Sequence, residues 1–253
     1  MAKVKIYTIA DKSPQFIGWQ AKAFRDHLKD DYEFIVMNNS SSLDLDEAIQ
    51  GECLASGIKW INVENKDFSH PCFSCAAPVQ EIINRFIAIE KECISVIIDS
   101  DMFLIRDFSF IEYIEGYDIA GVSQARDAGH KMIEYIWNGL IVFTPTLPNL
   151  QTLDMGCGVV WKAHGDVGLF SYYYLLANPQ VKWKKIPSTS IITNHPETMK
   201  LFPDHARELY EFRFDSEIIE GSFFHARGMS RWDCKQKEFY EDKESFIKKL
   251  VGI

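Results

Sequence analysis

The sequence predicts an α/β fold with a mainly parallel central sheet flanked by helices. Three observations carry that expectation. Strand-like and helix-like segments alternate through the first hundred residues, the pattern of successive βαβ units. The run Ser95-Val96-Ile97-Ile98 is short and apolar, as strands buried on both faces of a parallel sheet are. Asp11, Asn38 and Asp99 each follow an apolar strand, and ligands of open α/β sheets bind beyond the carboxyl ends of strands.

The first strand is Val4–Ala10, with Asp11-Lys12-Ser13-Pro14 as the turn after it. Residues 15–28 read as a helix, because Phe16, Trp19, Ala23, Phe24 and His27 recur at helical spacing and Ser13-Pro14 is a helix start. Residues 32–37 form a second strand ending at Asn38-Asn39-Ser40, residues 46–56 a short helix, and residues 59–63 a third strand. Over residues 78–93, Val79, Ile82, Ile83, Phe86, Ile87 and Ile89 make a wide apolar helical face. The strand over 95–98 then runs into Asp99-Ser100-Asp101.

The second half is less regular. Strands are expected at 117–123, 140–143 and 182–186, with a further one over 154–161. A helix is expected over 166–177, stopped before Pro179, and an amphipathic helix over 239–251. No repeat, low-complexity tract or linker divides the chain, so a single domain over 1–253 is expected. No G-x-G-x-x-G follows the first strand, which argues against a dinucleotide-binding domain.

Hydrophobic residues make up 47% and charged residues 25% of the 253, enough to bury a sizeable core. The formal net charge of −9 disfavours nucleic acid and anionic membranes as general partners. It also disfavours a nucleoside diphosphate, unless a divalent cation and local Arg or Lys residues reverse the sign in the pocket. Of the six cysteines, Cys53, Cys93 and Cys157 lie in apolar stretches and read as small buried hydrophobes. Cys72-Phe73-Ser74-Cys75 is a single C-x-x-C near His70 with no second pair at zinc spacing, so a structural zinc site is not the favoured reading. No signal-peptide h-region or membrane-length apolar run is present, and a soluble, reduced, cytoplasmic protein is expected.

The stretch that carries chemistry is Val96-Ile97-Ile98-Asp99-Ser100-Asp101. A buried strand ending in two carboxylates one residue apart places both at the rim of the sheet. Like charges that close repel unless a cation lies between them, and carboxylate oxygens suit a hard ion such as magnesium or manganese. Taken alone, a D-x-D also arises by chance or caps a turn.

With these residues in view, the chain resembles the GT-A (Rossmann-like) glycosyltransferases, in particular the glycogenin and galactosyltransferase-like type and its relatives in large DNA viruses and bacteria. Three features match in order: strand-D-x-D as Asp99-Ser100-Asp101, an Arg one helix upstream as Arg85, and His225-Ala226-Arg227-Gly228 followed by Trp232. The resemblance implies a nucleotide-binding half over about 1–105 and a smaller acceptor-side subregion over about 106–253. It implies a nucleotide-sugar donor, a glycan or other hydroxyl acceptor, and Mn2+ or Mg2+ as cofactor. A virus-encoded relative would act in the host cytoplasm.

Residue by residue, the resemblance makes Asp101 and His225 metal ligands, with Asp99 on the metal or the ribose and Ser100 between the two carboxylates at the donor. Thr8, Ile9, Ala10 and Asp11 would cradle base and ribose, with Asn38 beside them, and Arg85 would hold the first Asp or reach the donor. Gly228 would let the backbone approach the phosphates, and Arg227 or Arg231 would neutralise the leaving diphosphate. Glycogenin-like chains carry Lys-Pro-Trp where this one has Ser230-Arg231-Trp232, so Arg231 is only a stand-in for that lysine. Trp137 and Asn138 fall in the segment beneath the donor sugar, although Trp137 reads equally well as core. Asp154 and Asp166 are the carboxylates available to sugar or acceptor, and Asp166 is equally readable as a helix N-cap.

The His-x-x-Gly motif tilts the implied mechanism towards retention of configuration. The competing readings are a sugar-phosphate nucleotidyltransferase, a non-catalytic nucleotide-sugar-binding relative, and an acidic interaction module. Against the first, Ala10-Asp11-Lys12-Ser13-Pro14 lacks the Gly-rich loop such enzymes carry after the first strand.

Overall fold

A computed structural model describes residues 3–191, 200–203, 216–229 and 237–253, the last of these by backbone alone up to residue 240. The central sheet has seven strands. They are β1 (Val4–Ala10), β2 (Tyr32–Asn38), β3 (Lys59–Asn62), β4 (Ile94–Ile98), β6 (Ile119–Asp127), β7 (Met132–Phe143) and β10 (Trp183–Ile186), in the spatial order β10-β6-β7-β4-β1-β2-β3. All its pairings are parallel except those of β7, which runs antiparallel to both β4 and β6. The sheet is therefore mainly parallel, as expected.

Alternation along the strands divides the core in two. Val4, Ile6 and Ala10, with Phe34, Val36, Val96 and Ile98, face α1 (Gln15–His27) and α2 (Leu43–Ser56), which add Phe16, Phe24, Ile49 and Cys53. Tyr7, Ile35, Met37, Ile97 and Ile141 face the other way, against Val79, Ile82 and Ile83 of the helix α3 (Pro71–Ile82) and the π-turn Ile83–Ile87 that continues it. Helices thus cover both faces.

Several boundaries differ from expectation for identifiable reasons. Helix α2 begins earlier than residue 46, because Ser42 accepts a hydrogen bond from the Leu45 amide, and Gly57 ends it in the left-handed region. Helix α3 begins at Pro71 rather than Pro78. His70 caps it, its Nδ1 accepting from the Cys72 amide at 3.1 Å. Pro78 therefore sits inside the helix, where it cannot donate to the carbonyl of Ser74. The Asn39 side chain donates to that carbonyl instead, at 2.8 Å, so no buried acceptor is stranded. Ser13 is not a cap for α1; its hydroxyl points to the carbonyl of Met229, 3.4 Å away.

The second half departs further. Strands β6 and β7 form a long hairpin, and β7 continues back through Trp137-Asn138-Gly139 well beyond residue 140. The strand expected over 154–161 is reduced to β8 (Gly158–Val160), paired with β9 (Ala163–Gly165). The helix expected from Asp166 starts only at Ser171, as α5 (Ser171–Ala177), so Asp166 does not cap it. A short helix α4 (Phe110–Ile114) was not expected. Nor was a second, wholly antiparallel sheet, of order β11-β12-β13-β5, formed by β5 (Met102–Leu104), β11 (Ser188–Ser190), β12 (Glu217–Ile219) and β13 (Phe223–His225). Helix α6 (Lys237–Leu250) closes the chain, with Phe246 against Phe224. Among the described residues no helix is long and apolar enough to cross a membrane.

Candidate cation and donor site

The site is built where the two sheets meet. Strand β4 ends at Ile98, and the turn after it is closed by the Met102 amide donating to the Asp99 carbonyl. Gln20 of α1, fully buried, locks this turn from below: its amide donates to the carbonyls of Asp99 and Met102 at 2.7 and 2.9 Å. The chain then leaves directly as β5, whose neighbour β13 is registered so that His225 lies opposite Met102. The Ala226 amide donates to the Asp101 carbonyl at 2.9 Å, which fixes the His225 end of β13 beside the carboxylate turn.

That register brings His225 against Asp99 and Asp101, a pair of carboxylates over 120 residues upstream in sequence. His225 Nε2 lies 3.3 Å from an Asp101 carboxylate oxygen and 3.9 Å from one of Asp99. One potential ligand atom from each of the three lies within 4.8 Å of the other two. Asp101 and His225 are buried, whereas Asp99 keeps 25% of its side chain exposed. Two carboxylate oxygens and an imidazole nitrogen, open on the Asp99 side, fit a divalent cation whose remaining positions take oxygen from a ligand.

The electrostatics point the same way. Burial and the neighbouring charges of Asp101, Asp166 and Glu217 push the Asp99 carboxyl up, against the opposing effect of His225. Burial disfavours the His225 imidazolium, yet Asp101, Glu217 and Asp99 outweigh it and hold the ring's pKa well above its ordinary value.

Around the triad, the Asp99 amide donates to the Gly139 carbonyl at 2.9 Å, carrying the β4–β7 pairing one step past Ile98. This places Asn138, 4% exposed, between two partners: its amide reaches Cys75 Sγ at 3.2 Å and an Asp99 oxygen at 3.4 Å. Trp137 packs against His225, ring centroids 5.3 Å apart. Gly139 makes room for that ring, since a Cβ there would come within 2.0 Å of it. Trp137 is both core and site wall, packed half-buried against the larger core cluster.

The other expected residues are distributed unevenly. Thr8 is fully buried and Ala10 nearly so, Ile9, Asp11 and Ser100 are half-buried, and Asn38 is buried. The Thr8 hydroxyl and the side-chain oxygen of Asn39 are buried without a hydrogen-bond partner, near the ends of β1 and β2. The amide of Asn38 holds Asp46 of α2 at 2.7 Å, and its oxygen accepts from the Ser40 amide. Arg85 pairs with Glu81 and Glu64, at 2.7 and 2.8 Å, and neither Asp99 nor Asp101 is among its ion-pair partners. Asp154 is exposed and accepts from the Gly156 amide. Asp166 is exposed beside the Cys72 thiol, 3.8 Å away, and lies close enough for its charge to raise Asp99 and Cys75. Arg227 pairs with Glu217, and Gly228 adopts φ +76°, open to glycine at little strain. Ser230, Arg231 and Trp232 lie outside the described residues.

His70 caps α3, Cys72 faces Asp166 and Cys75 faces Asn138. Cys53 and Cys93 are buried as expected, whereas Cys157 is only half-buried.

Two residues of the site carry almost no sequence signal. Glu217 contacts His225 through strand register alone, eight residues away, and Gln20 reaches the D-x-D turn from a helix 80 residues upstream. A polar Gln among the apolar positions of α1 is the one hint that was legible.

No known sequence family matches the chain, and no curated protein matches it. Similar solved structures include galactosyltransferase LgtC in complex with donor and acceptor sugar analogs (14% identity, TM-score 0.49, covering 98% of this chain and 95% of that one). Another is the mannosyltransferase PcManGT from Pyrobaculum calidifontis in complex with GDP-Man and Mn2+ (10% identity, TM-score 0.48, 73% and 54% covered). A third is the WbbM bifunctional glycosyltransferase (16% identity, TM-score 0.39, 58% and 32% covered). The chain thus spans about a third of the length of WbbM and about half that of PcManGT.

Proposed function

We propose that this chain is a metal-dependent glycosyltransferase that moves a sugar from a nucleoside-diphosphate sugar, a UDP-sugar by preference, to a hydroxyl of a glycan or similar acceptor. The observation that carries the reading is the convergence of Asp99, Asp101 and His225 at the carboxyl end of β4, with one side of Asp99 open. A divalent cation held there, Mn2+ or Mg2+, would neutralise a diphosphate and stabilise the charge on a departing nucleoside diphosphate.

The chain's own residues then divide the work. Thr8, Ile9, Ala10 and Asp11 wall the base and ribose at the carboxyl end of β1. Asn138 fixes Asp99 and faces the sugar side of the site, with Trp137 behind it. Asp166 meets sugar or acceptor hydroxyls, being exposed yet electrically coupled to Asp99. Asp154 orders the loop that leads to β8. Gly228 lets the backbone approach the diphosphate, beside an Arg227 that is held by Glu217; the role of neutralising the leaving group then falls to Arg231, outside the described residues. The His225-to-Gly228 motif favours retention over inversion of the anomeric centre.

The test is thermal unfolding with a panel of nucleotide-sugars, with Mn2+ or with EDTA, beside Asp101→Ala. A donor present at about 100 times its Kd stabilises by roughly 2.7 kcal/mol. The expected result is one donor whose stabilisation needs Mn2+ and disappears in the variant, followed by sugar transfer to a glycan acceptor. Absence of any nucleotide-dependent shift under every metal condition refutes the reading.

A further inference from the structure

Glu217 is a charged residue in the core, 3% exposed, on a strand that otherwise contributes Ile218 and Ile219. Burying a carboxylate is unfavourable unless its oxygens are fully engaged. Here they are. Oε1 lies 2.7 Å from His225 Nδ1, Oε2 accepts from Arg227 Nη2 at 2.9 Å, and the Ser188 hydroxyl donates to Oε2 as well. The β12–β13 register sets Glu217 directly opposite His225, so the contact is imposed by backbone pairing rather than by a flexible side chain.

An imidazole that ligates a metal must offer a bare nitrogen, and the hydrogen bond at its other nitrogen decides which one that is. Two acceptors compete for the ring of His225. Asp101 lies 3.3 Å from Nε2, and Glu217 lies 2.7 Å from Nδ1. If the single proton of a neutral ring went to Nε2, an N–H would point into the triad and the site would lose its nitrogen donor. The closer carboxylate is on the side away from Asp99 and Asp101.

We propose that Glu217 is the positioning residue of the cation site. It accepts the Nδ1 proton of His225 and so leaves the Nε2 lone pair facing Asp99 and Asp101, while Arg227 and Ser188 hold the carboxylate in place. The inference rests on the metal-dependent reading above and adds to it a residue outside the ligand set.

The test is titration with Mn2+ alone, reading free Mn2+ by electron paramagnetic resonance, on the wild type, Asp101→Asn and Glu217→Gln, with circular dichroism confirming the fold of each. Loss of an outer carboxylate to a metal-bound His weakens affinity about 10- to 100-fold. We expect Asp101→Asn to abolish binding and Glu217→Gln to raise Kd within that range. Mn2+ affinity within twofold of wild type in a folded Glu217→Gln, with Asp101→Asn defective, overturns the role of Glu217 and leaves the metal site standing. Absence of wild-type binding, or wild-type binding in Asp101→Asn, removes both. If Glu217→Gln does not fold, the long-range 1H–15N spectrum of wild-type His225 with Mg2+ decides: a proton on Nδ1 with Nε2 bare supports the assignment, and a proton on Nε2 overturns it.

Discussion

Gly139→Ala isolates the packing that connects the sheet to the site. The backbone at this position is committed, because the Gly139 carbonyl accepts from the Asp99 amide at 2.9 Å and its neighbour Leu140 is paired with Ile98. A new Cβ would stand 2.0 Å from two atoms of the Trp137 ring, far inside van der Waals contact, so the ring must rotate away. Overpacking of this kind costs about 1–3 kcal/mol. The displaced ring is the one packed 5.3 Å from His225, so the cation site loosens with it. Urea unfolding of the wild type, Gly139→Ala, Trp137→Ala and the double variant measures both effects. The cycle should show that the glycine substitution destabilises by that amount with Trp137 present, and by well under about 1 kcal/mol once the ring is gone. Mn2+ affinity should fall in Gly139→Ala. Additive behaviour in the cycle, or a Gly139→Ala protein as stable as wild type, would refute the packing argument.

Two further predictions follow from the hydrogen-bond inventory. Asn39→Ala strands the Ser74 carbonyl inside α3, at about 1–3 kcal/mol; adding Pro78→Ala restores an amide donor at the right position and should recover part of the loss in chemical denaturation, whereas equal stability of the single and double variants would sink the idea. The pair Glu217–His225 makes the metal-free protein's stability pH-dependent in both directions. Burial disfavours the Glu217 carboxylate, but the His225, Ser188 and Arg227 contacts prevail and hold its pKa at about 2, below the ordinary 4.5, so its contribution is present above pH 4.5 and lost as pH falls towards 2. His225 is raised above 6.5, so its contribution is present below that value and lost as pH rises through the raised one. The stability difference between wild type and Glu217→Gln in EDTA should therefore be greatest between about pH 4.5 and 6.5; a difference flat from pH 3 to 10 would contradict the pairing.

Periodicity and short motifs are local signals, and they located what is local here. The limits of β1, the helix from Gln15, the strand ending at Ile98 and the two carboxylates after it are all legible, because each depends on residues within one turn or one strand of each other. His225 was placed with them by motif likeness. What the sequence could not show is anything set by partners far along the chain. Pro78 reads as a helix start, and is in fact interior, because a side chain 39 residues upstream donates to the carbonyl that proline leaves unserved. Arg85 and Arg227 are free cations on paper; in the fold their reach is spent on Glu81 with Glu64, and on Glu217. The strands of the small sheet are three residues each, too short for alternation to register. Yet their register decides the site, since it alone sets His225 against Asp101 on one side and Glu217 on the other. The sequence by itself determined which groups were available to hold a cation. Only the tertiary structure decided which of them meet, because antiparallel pairing fixes neighbours by backbone hydrogen bonds between segments that carry no mark of one another.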